Sequence, residues 1–128
     1  MYKRASLLLA VLLLLMIVLP AQNLQQIYTG LLENFRNKNY KEVIKTGEQV
    51  LSKLDKDRKP QQEAYAMFAY FTGSACIGDN QYLKAEPYLR DAVRLLRKMD
   101  NKTDELGNAC NDLGDLYNRM GRNTEAES

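Results

Sequence analysis

Residues 65–96 read YAMFAYFTGSACIGDNQYLKAEPYLRDAVRLL, and this stretch decides the fold of the chain. Small residues stand in it at fixed distances, since Ala85 follows Gly73 by twelve residues and Ala92 follows Ala85 by seven. Large apolar residues occupy the positions between them at helical spacing. A small residue at a helix crossing lets two backbones approach closely while the flanking side chains interdigitate. The stretch therefore predicts two helices packed as a hairpin.

The same twelve-residue spacing occurs three times along the chain. It joins Leu31 to Val43, Gly73 to Ala85, and Gly114 to Ala126, so the step from one unit to the next is 42 and then 41. A repeat of this length with two helices per unit is typical of a helical solenoid. We therefore predict an all-α fold, an α-α superhelix of about two and a half helical hairpins.

Helical periodicity predicts the individual helices of these hairpins. Their approximate ranges are 24–37, 40–54, 61–77, 82–99 and 103–120, with a further helix from residue 123 that is cut short. Asn39 and Thr103 are predicted N-caps, and Glu42 completes a capping box with Asn39. Gly121 is predicted to end the fifth helix.

The N-terminus has the layout of a secretory signal peptide. Lys3 and Arg4 precede an unbroken run of thirteen apolar residues at 7–19. The apolar stretch from 5 to 21 has seventeen residues, fewer than the about 20 that a membrane-spanning helix needs. We predict either a signal peptide cleaved after about residue 21 or an uncleaved membrane anchor. In both cases residues 22–128 are exported, to the periplasm or to the periplasmic face of a membrane.

Composition excludes several classes of function. Without Lys3 and Arg4, 16 basic residues balance 16 acidic ones, so no basic excess indicates a nucleic-acid partner. The chain has no His, the commonest general base and a frequent metal ligand. It also has no Gly-rich phosphate loop and no nucleophile elbow. We predict that the protein is not an enzyme and binds neither a cofactor nor a metal.

The second and third units resemble the tetratricopeptide (TPR) pattern. The third reads Cys110-x2-Leu113-Gly114-x2-Tyr117, then Gly121 and Ala126, and the second reads Ala69-x2-Thr72-Gly73-x2-Cys76, then Tyr82, Ala85, Leu89 and Ala92. The segment 82–89 is similar to the second helix of kinesin-light-chain-type TPRs, whose repeats have about 42 residues and accept a proline such as Pro87. The first unit matches only at Tyr40 and in its apolar character. We predict an N-terminal segment at 1–21, and the resemblance implies repeats after it at about 23–58, 60–100 and 102–128, the last one truncated.

In TPR proteins the first helix of each unit lines a concave groove that binds a partner, and the resemblance assigns a set of residues to that groove. They are Gln25, Tyr28, Leu32, Phe35 and Arg36 in unit one, Met67, Tyr70, Ser74 and Ile77 in unit two, and Asn108, Asn111, Asp115, Asn118 and Arg119 in unit three. Asn amides can pair with the backbone of an extended peptide, because each offers a donor and an acceptor. We predict a protein or peptide partner here; the alternative is a solvated face that binds nothing.

The resemblance implies a non-enzymatic protein-interaction module on the exported side of a membrane. The chain is similar to the extracytoplasmic TPR regions of bacterial sensor proteins, which precede a membrane helix and a kinase or DNA-binding output. It would then be the sensor part of a longer signalling protein. The alternative is a structural scaffold for the assembly of an envelope or uptake complex. The truncated third unit would leave apolar surface half covered, so we expect further chain, a partner or self-association at that end.

Two cysteines stand on consecutive first helices of the predicted repeats. Cys76 and Cys110 both occupy positions that the TPR pattern packs, where cysteine behaves as a small hydrophobic residue. We expect a pair of buried free thiols, and a disulfide is the alternative, because an exported chain can keep one.

A basic stripe runs along the predicted fourth helix. Its members are Arg90, Arg94, Arg97 and Lys98. We expect a solvated outer face, because Glu86 and Asp91 stand among these charges. The alternative is contact with lipid head groups or with an acidic partner.

Overall fold

The computed structural model describes residues 23–121, and all regular structure in that range is helical. The helices are α1 at 23–36, α2 at Tyr40–Leu51, a short 3-10 helix at Lys59–Gln61, α3 at Gln62–Gly78, α4 at Tyr82–Leu96 and α5 at Thr103–Arg119. The all-α class is therefore confirmed. The predicted signal or anchor segment and the predicted helix from residue 123 lie outside the described range.

The chain divides into two units, Met1–Gly30 and Leu31–Ser128, and the boundary falls within α1. In the first unit, residues 23–30 are helical, and the Thr29 hydroxyl donates a hydrogen bond to the Gln25 carbonyl oxygen at 3.0 Å. The second unit contains the rest of α1, helices α2 to α5 and the buried apolar side chains. No helix within 23–121 combines the length and the apolar character that crossing a bilayer requires.

Helices α1, α3 and α5 end in the same kind of turn. In the described range, positive φ angles occur at Lys38 (59°), Asn80 (61°) and Gly121 (75°). Their positions differ by 42 and 41, the steps that the small residues show in the sequence. The amide of each donates a hydrogen bond to the carbonyl oxygen three residues earlier, at 3.0 to 3.1 Å. A left-handed residue ends a helix because it turns the backbone while satisfying the last carbonyls. The predicted role of Gly121 is thus confirmed.

Asn39 occupies the predicted N-cap position of α2 but makes no side-chain capping bond, and the predicted N-cap at Thr103 is wrong. The backbone amide of Asn39 already belongs to the turn after α1, where it donates to the Asn34 carbonyl oxygen at 2.8 Å. Its side-chain amide donates to Asn34 Oδ1 at 3.2 Å and makes no capping bond to α2. Helix α5 begins at Thr103 itself, and the preceding Lys102 supplies no side-chain cap. A turn closed by backbone hydrogen bonds therefore determines where α2 begins.

Glycines set the distances between α3 and its neighbours. A Cβ atom at Gly73 would lie 2.7 Å from Leu89 Cγ and 3.3 Å from the Ala85 carbonyl oxygen, so α3 and α4 meet at the predicted small residues. On the α2 side, Gly47 leaves room for the side chain of Thr72. Backbones that approach this closely exclude any larger residue at these crossings.

Helix α3 lies at the centre of the second unit. It packs against α2, α4 and α5, and α4 also packs against α5. The largest fully buried apolar side chains come from all of these elements and from the end of α1; they are Leu31, Val43, Phe68, Leu89, Leu95, Leu96 and Leu116. Within the described range, three ion pairs join residues of different predicted units: Lys84 to Glu48 at 2.7 Å, Lys102 to Glu63 at 3.2 Å and Lys56 to Asp91 at 3.4 Å.

Candidate functional site

Helices α1, α3 and α5 bring together a surface that we call the first-helix face: Phe35, Tyr70, Phe71, Ser74 and Asp112. The Phe35 and Phe71 rings meet edge to face, with centroids 5.2 Å apart, and the Tyr70 ring centroid lies 4.8 Å from that of Phe71. Ser74 of α3 donates a hydrogen bond to Asp112 of α5 at 2.5 Å. The face therefore joins an aromatic part to a polar part.

Burial changes the acidity of two groups on this face. Burial raises the pKa of the Tyr70 phenol, and the charge of Asp112 raises it further. Burial also raises the pKa of the Asp112 carboxyl, while the hydrogen bond from Ser74 lowers it and the charge of Asp115 raises it. Low local dielectric disfavours the charged forms of both groups. The face can thus accept and donate hydrogen bonds in partly desolvated surroundings.

The other residues assigned to the groove differ in their accessibility. Among residues 31–121, Leu32 and Met67 are half-buried and Ile77 is buried, so Ile77 offers little surface to a partner. The remaining ones are exposed: Arg36, Asn108, Asn111, Asp115, Asn118 and Arg119. Among residues 23–30, Gln25 is exposed and Tyr28 is half-buried.

Sequence reasoning missed two members of the first-helix face. Phe71 and Asp112 are one repeat step apart, so they occupy the same place in successive units. Each directly follows a residue assigned to the groove, Tyr70 and Asn111 respectively. The signal that could have found them is the repeat step itself, because it places any residue of α3 beside its counterpart in α5.

The two thiols have different surroundings. Both cysteines are free; Cys76 is buried, whereas Cys110 is exposed. Burial raises the pKa of the Cys76 thiol to about 11. The prediction of a buried pair is therefore wrong for Cys110. Its counterpart on α3, Ala69, is fully buried because α3 has helices on several sides, and α5 lacks that cover at Cys110 within the described residues.

A groove lies between α4 and α5, and we call it the cationic groove. It has a volume of about 650 Å³ and is lined by Val93, Leu113 and Tyr117 together with Arg90, Arg94, Arg97 and Lys98. The predicted basic stripe is thus exposed, but it borders an apolar floor. Arg90 Nε lies 3.2 Å from Glu86 Oε1 and 3.0 Å from the Tyr117 hydroxyl.

The described residues contain no group of three His, Cys, Asp or Glu side chains placed to hold a metal ion. On the first-helix face, the polar groups that converge are the Ser74 hydroxyl and the Asp112 carboxylate. This arrangement can hydrogen-bond a polar ligand beside the aromatic rings, which is the chemistry of a binding surface.

No family model, no curated protein and no solved structure matches this chain.

Proposed function

We propose that the chain is a TPR-like protein-interaction module, and that its first-helix face binds an extended peptide segment of a partner. The repeat character is supported by the recurrence of one helix-ending turn at Lys38, Asn80 and Gly121. It is also supported by the packing of each helix from α2 to α5 against its neighbour in sequence. Hairpins stacked in this way leave their first helices side by side.

The observation that carries the binding surface is the Ser74–Asp112 hydrogen bond, because it joins the first helices of two units directly. The half-buried Tyr70 and Phe71 belong to the same helix as Ser74, and the exposed Asn111 belongs to the same helix as Asp112. Aromatic side chains anchor apolar residues of a peptide, while asparagine amides pair with its backbone.

Tyr70→Ala and Asn111→Ala test this proposal. Truncating an interface anchor often costs about 2 kcal/mol or more, so each variant should bind the partner peptide about thirtyfold more weakly with unchanged helix content. A photo-crosslinking residue at position 70 in the full chain would first identify the peptide. Lys45→Ala, an exposed change on α2, is the matched control.

The proposal fails if affinity for the crosslinked partner is insensitive to Tyr70 and Asn111. It fails equally if the affinity depends instead on Arg90, Arg94 and Arg97, which line the cationic groove and not the first-helix face.

We propose further that the module works on the exported side of a membrane, without catalysis and as the sensor part of a signalling protein. The support is the basic and apolar sequence of residues 1–21 and its similarity to a signal peptide or anchor. A fusion of residues 1–40 to a reporter that is active only outside the cytoplasm should be active. An inactive fusion, with the protein found in the cytosol, would refute export.

A further inference from the structure

The repeat gives the cationic groove a counterpart one unit earlier. Subtracting the repeat steps of 42 and 41 maps Arg90 onto Glu48, Leu113 onto Thr72 and Tyr117 onto Cys76. At that earlier place α4 covers α3, and its Lys84 side chain reaches Glu48 of α2. Thr72 and Cys76 are fully buried, and α4 packs on α3. The counterpart of the cationic groove is therefore covered by a helix.

Two ion pairs hold α4 at this earlier place. Lys84 Nζ lies 2.7 Å from Glu48 Oε1, and Asp91 Oδ2 lies 3.4 Å from Lys56 Nζ. Lys84 and Asp91 are seven residues apart, which places them on one face of α4, two turns from each other. The helix at this earlier place thus carries a cation at the first position, that of Lys84, and an anion at the second position, that of Asp91.

The cationic groove has the opposite charge at the first of these positions. Arg90 occupies the position of the sequence repeat that corresponds to Glu48, and Lys98 occupies the position that corresponds to Lys56. An occupying helix must therefore carry carboxylates at both positions, seven residues apart. Arg94 and Arg97 add positive charge along the same edge, and Leu113 contributes to the apolar floor.

We propose that the cationic groove binds an amphipathic helix of a partner protein, and that this helix presents two carboxylates seven residues apart beside an apolar stripe. The surface is separate from the first-helix face and would give the module a second binding site. An incoming carboxylate would share Arg90 with Glu86 Oε1, 3.2 Å from Arg90 Nε, and with the Tyr117 hydroxyl, 3.0 Å from it. The chain's own Glu125 stands one repeat step after Lys84 and corresponds to the first of the two carboxylates.

The probe is a labelled synthetic peptide with the α4 sequence, Tyr82–Leu96, in which Lys84 is replaced by Glu. We call this probe the Glu peptide; the comparison peptide, the Lys84 peptide, keeps Lys84. With the full-length protein, fluorescence anisotropy should show at least tenfold tighter binding of the Glu peptide, because it matches Arg90 rather than Glu48. The protein variant Arg90→Glu should reverse this preference. Leu113→Asn should weaken binding of the Glu peptide about tenfold, while Lys45→Glu, an exposed charge reversal on α2, should leave it unchanged.

Several outcomes would overturn the proposal. One is equal binding of the two peptides, or a preference for the Lys84 peptide by the unaltered protein. Another is a preference that survives Arg90→Glu. A tenfold gain in Glu-peptide affinity on Glu125→Gln would mean that the chain's own residues occupy the groove. Binding to phosphatidylglycerol vesicles that depends on Arg90, without binding of the Glu peptide, would assign the groove to a lipid surface instead.

Discussion

Ser74 of α3 and Asp112 of α5 share a hydrogen bond of 2.5 Å, which connects the first helices of two successive units. The carboxylate that accepts this bond is half-buried, and burial is the largest influence on its acidity. The net effect is a pKa above the ordinary Asp value of 3.8. The contact between α3 and α5 is thereby coupled to pH.

The pH dependence of stability follows from that raised pKa. The folded state holds the Asp112 proton more tightly than the unfolded state, so this group's contribution to stability falls as pH rises from 3.8 through the raised value. Asp112→Asn removes the titration and keeps an acceptor for Ser74. The free energy of unfolding of the variant relative to the unaltered protein should therefore be higher at pH 7 than at pH 3.

Urea titrations followed by circular dichroism at pH 3, 5 and 7 measure this difference. Asp100→Asn is the control, because Asp100 is exposed between α4 and α5 and is not among the groups that shift the pKa of Asp112. A difference between Asp112→Asn and the unaltered protein that stays constant or falls with pH would contradict the prediction.

Two glycines at the same place in successive units should respond oppositely to alanine. Gly73→Ala would place a methyl group against Leu89 and should destabilise the protein by about 1–3 kcal/mol. A methyl group added at Gly114 would meet no atom within 4 Å, so Gly114→Ala should stabilise α5 by about 1 kcal/mol through helix propensity alone. Urea unfolding compares both variants; a destabilising Gly114→Ala would show that this face of α5 is covered in solution.

The hydroxyl of Thr72 is fully buried and has no hydrogen-bond partner among the described residues. Thr72→Val removes the unsatisfied group and keeps the branched shape, so we expect a stabilisation of about 1 kcal/mol. Thr72→Ser is the matched variant. It keeps the hydroxyl but loses the methyl group, and should be less stable by about 1 kcal/mol. Thermal unfolding of the two variants checks the order; a destabilising Thr72→Val would mean that the hydroxyl is bonded.

The thiols should react with an aromatic disulfide reagent at very different rates. Cys110 is exposed and should be modified rapidly at pH 8. Cys76 is buried, and with a pKa of about 11 only about one thiol in a thousand is ionised at that pH. The native protein should therefore react quickly with one equivalent of reagent and with the second only after unfolding. Rapid modification that persists in Cys110→Ser would refute this assignment.

The sequence was sufficient for the helix class and for the places where helices cross. Gly73 and Ala85 lie at the predicted crossing, because only small residues permit that distance between backbones. Asn39 stands at the predicted N-cap position of α2 but makes no capping bond, since the backbone turn after α1 uses the same residue. Local patterns cannot reveal such competition between adjacent elements.

The two candidate surfaces were harder to predict. Phe71 and Asp112 were missed because the family frame assigns their immediate neighbours, and a helical face is wider than one row of positions. The exposed Cys110 was missed because burial depends on which helices surround α5, and sequence spacing does not contain that information. The apolar floor of the cationic groove combines Val93 of α4 with Leu113 of α5, so it forms only when the two helices are packed together.

The central position of α3 has a consequence for how the molecule opens. Among the described residues, α3 packs against α2, α4 and α5, whereas α5 packs mainly against α4. In a chain whose contacts join neighbours in sequence, loss of structure begins at an edge and proceeds inward. Amide hydrogens of α5 should then exchange with deuterium sooner than those around Phe68 and Ala69. A partner bound across α3 and α5 would hold the edge helix in place and slow this exchange, so protection of α5 amides would report occupancy of the first-helix face.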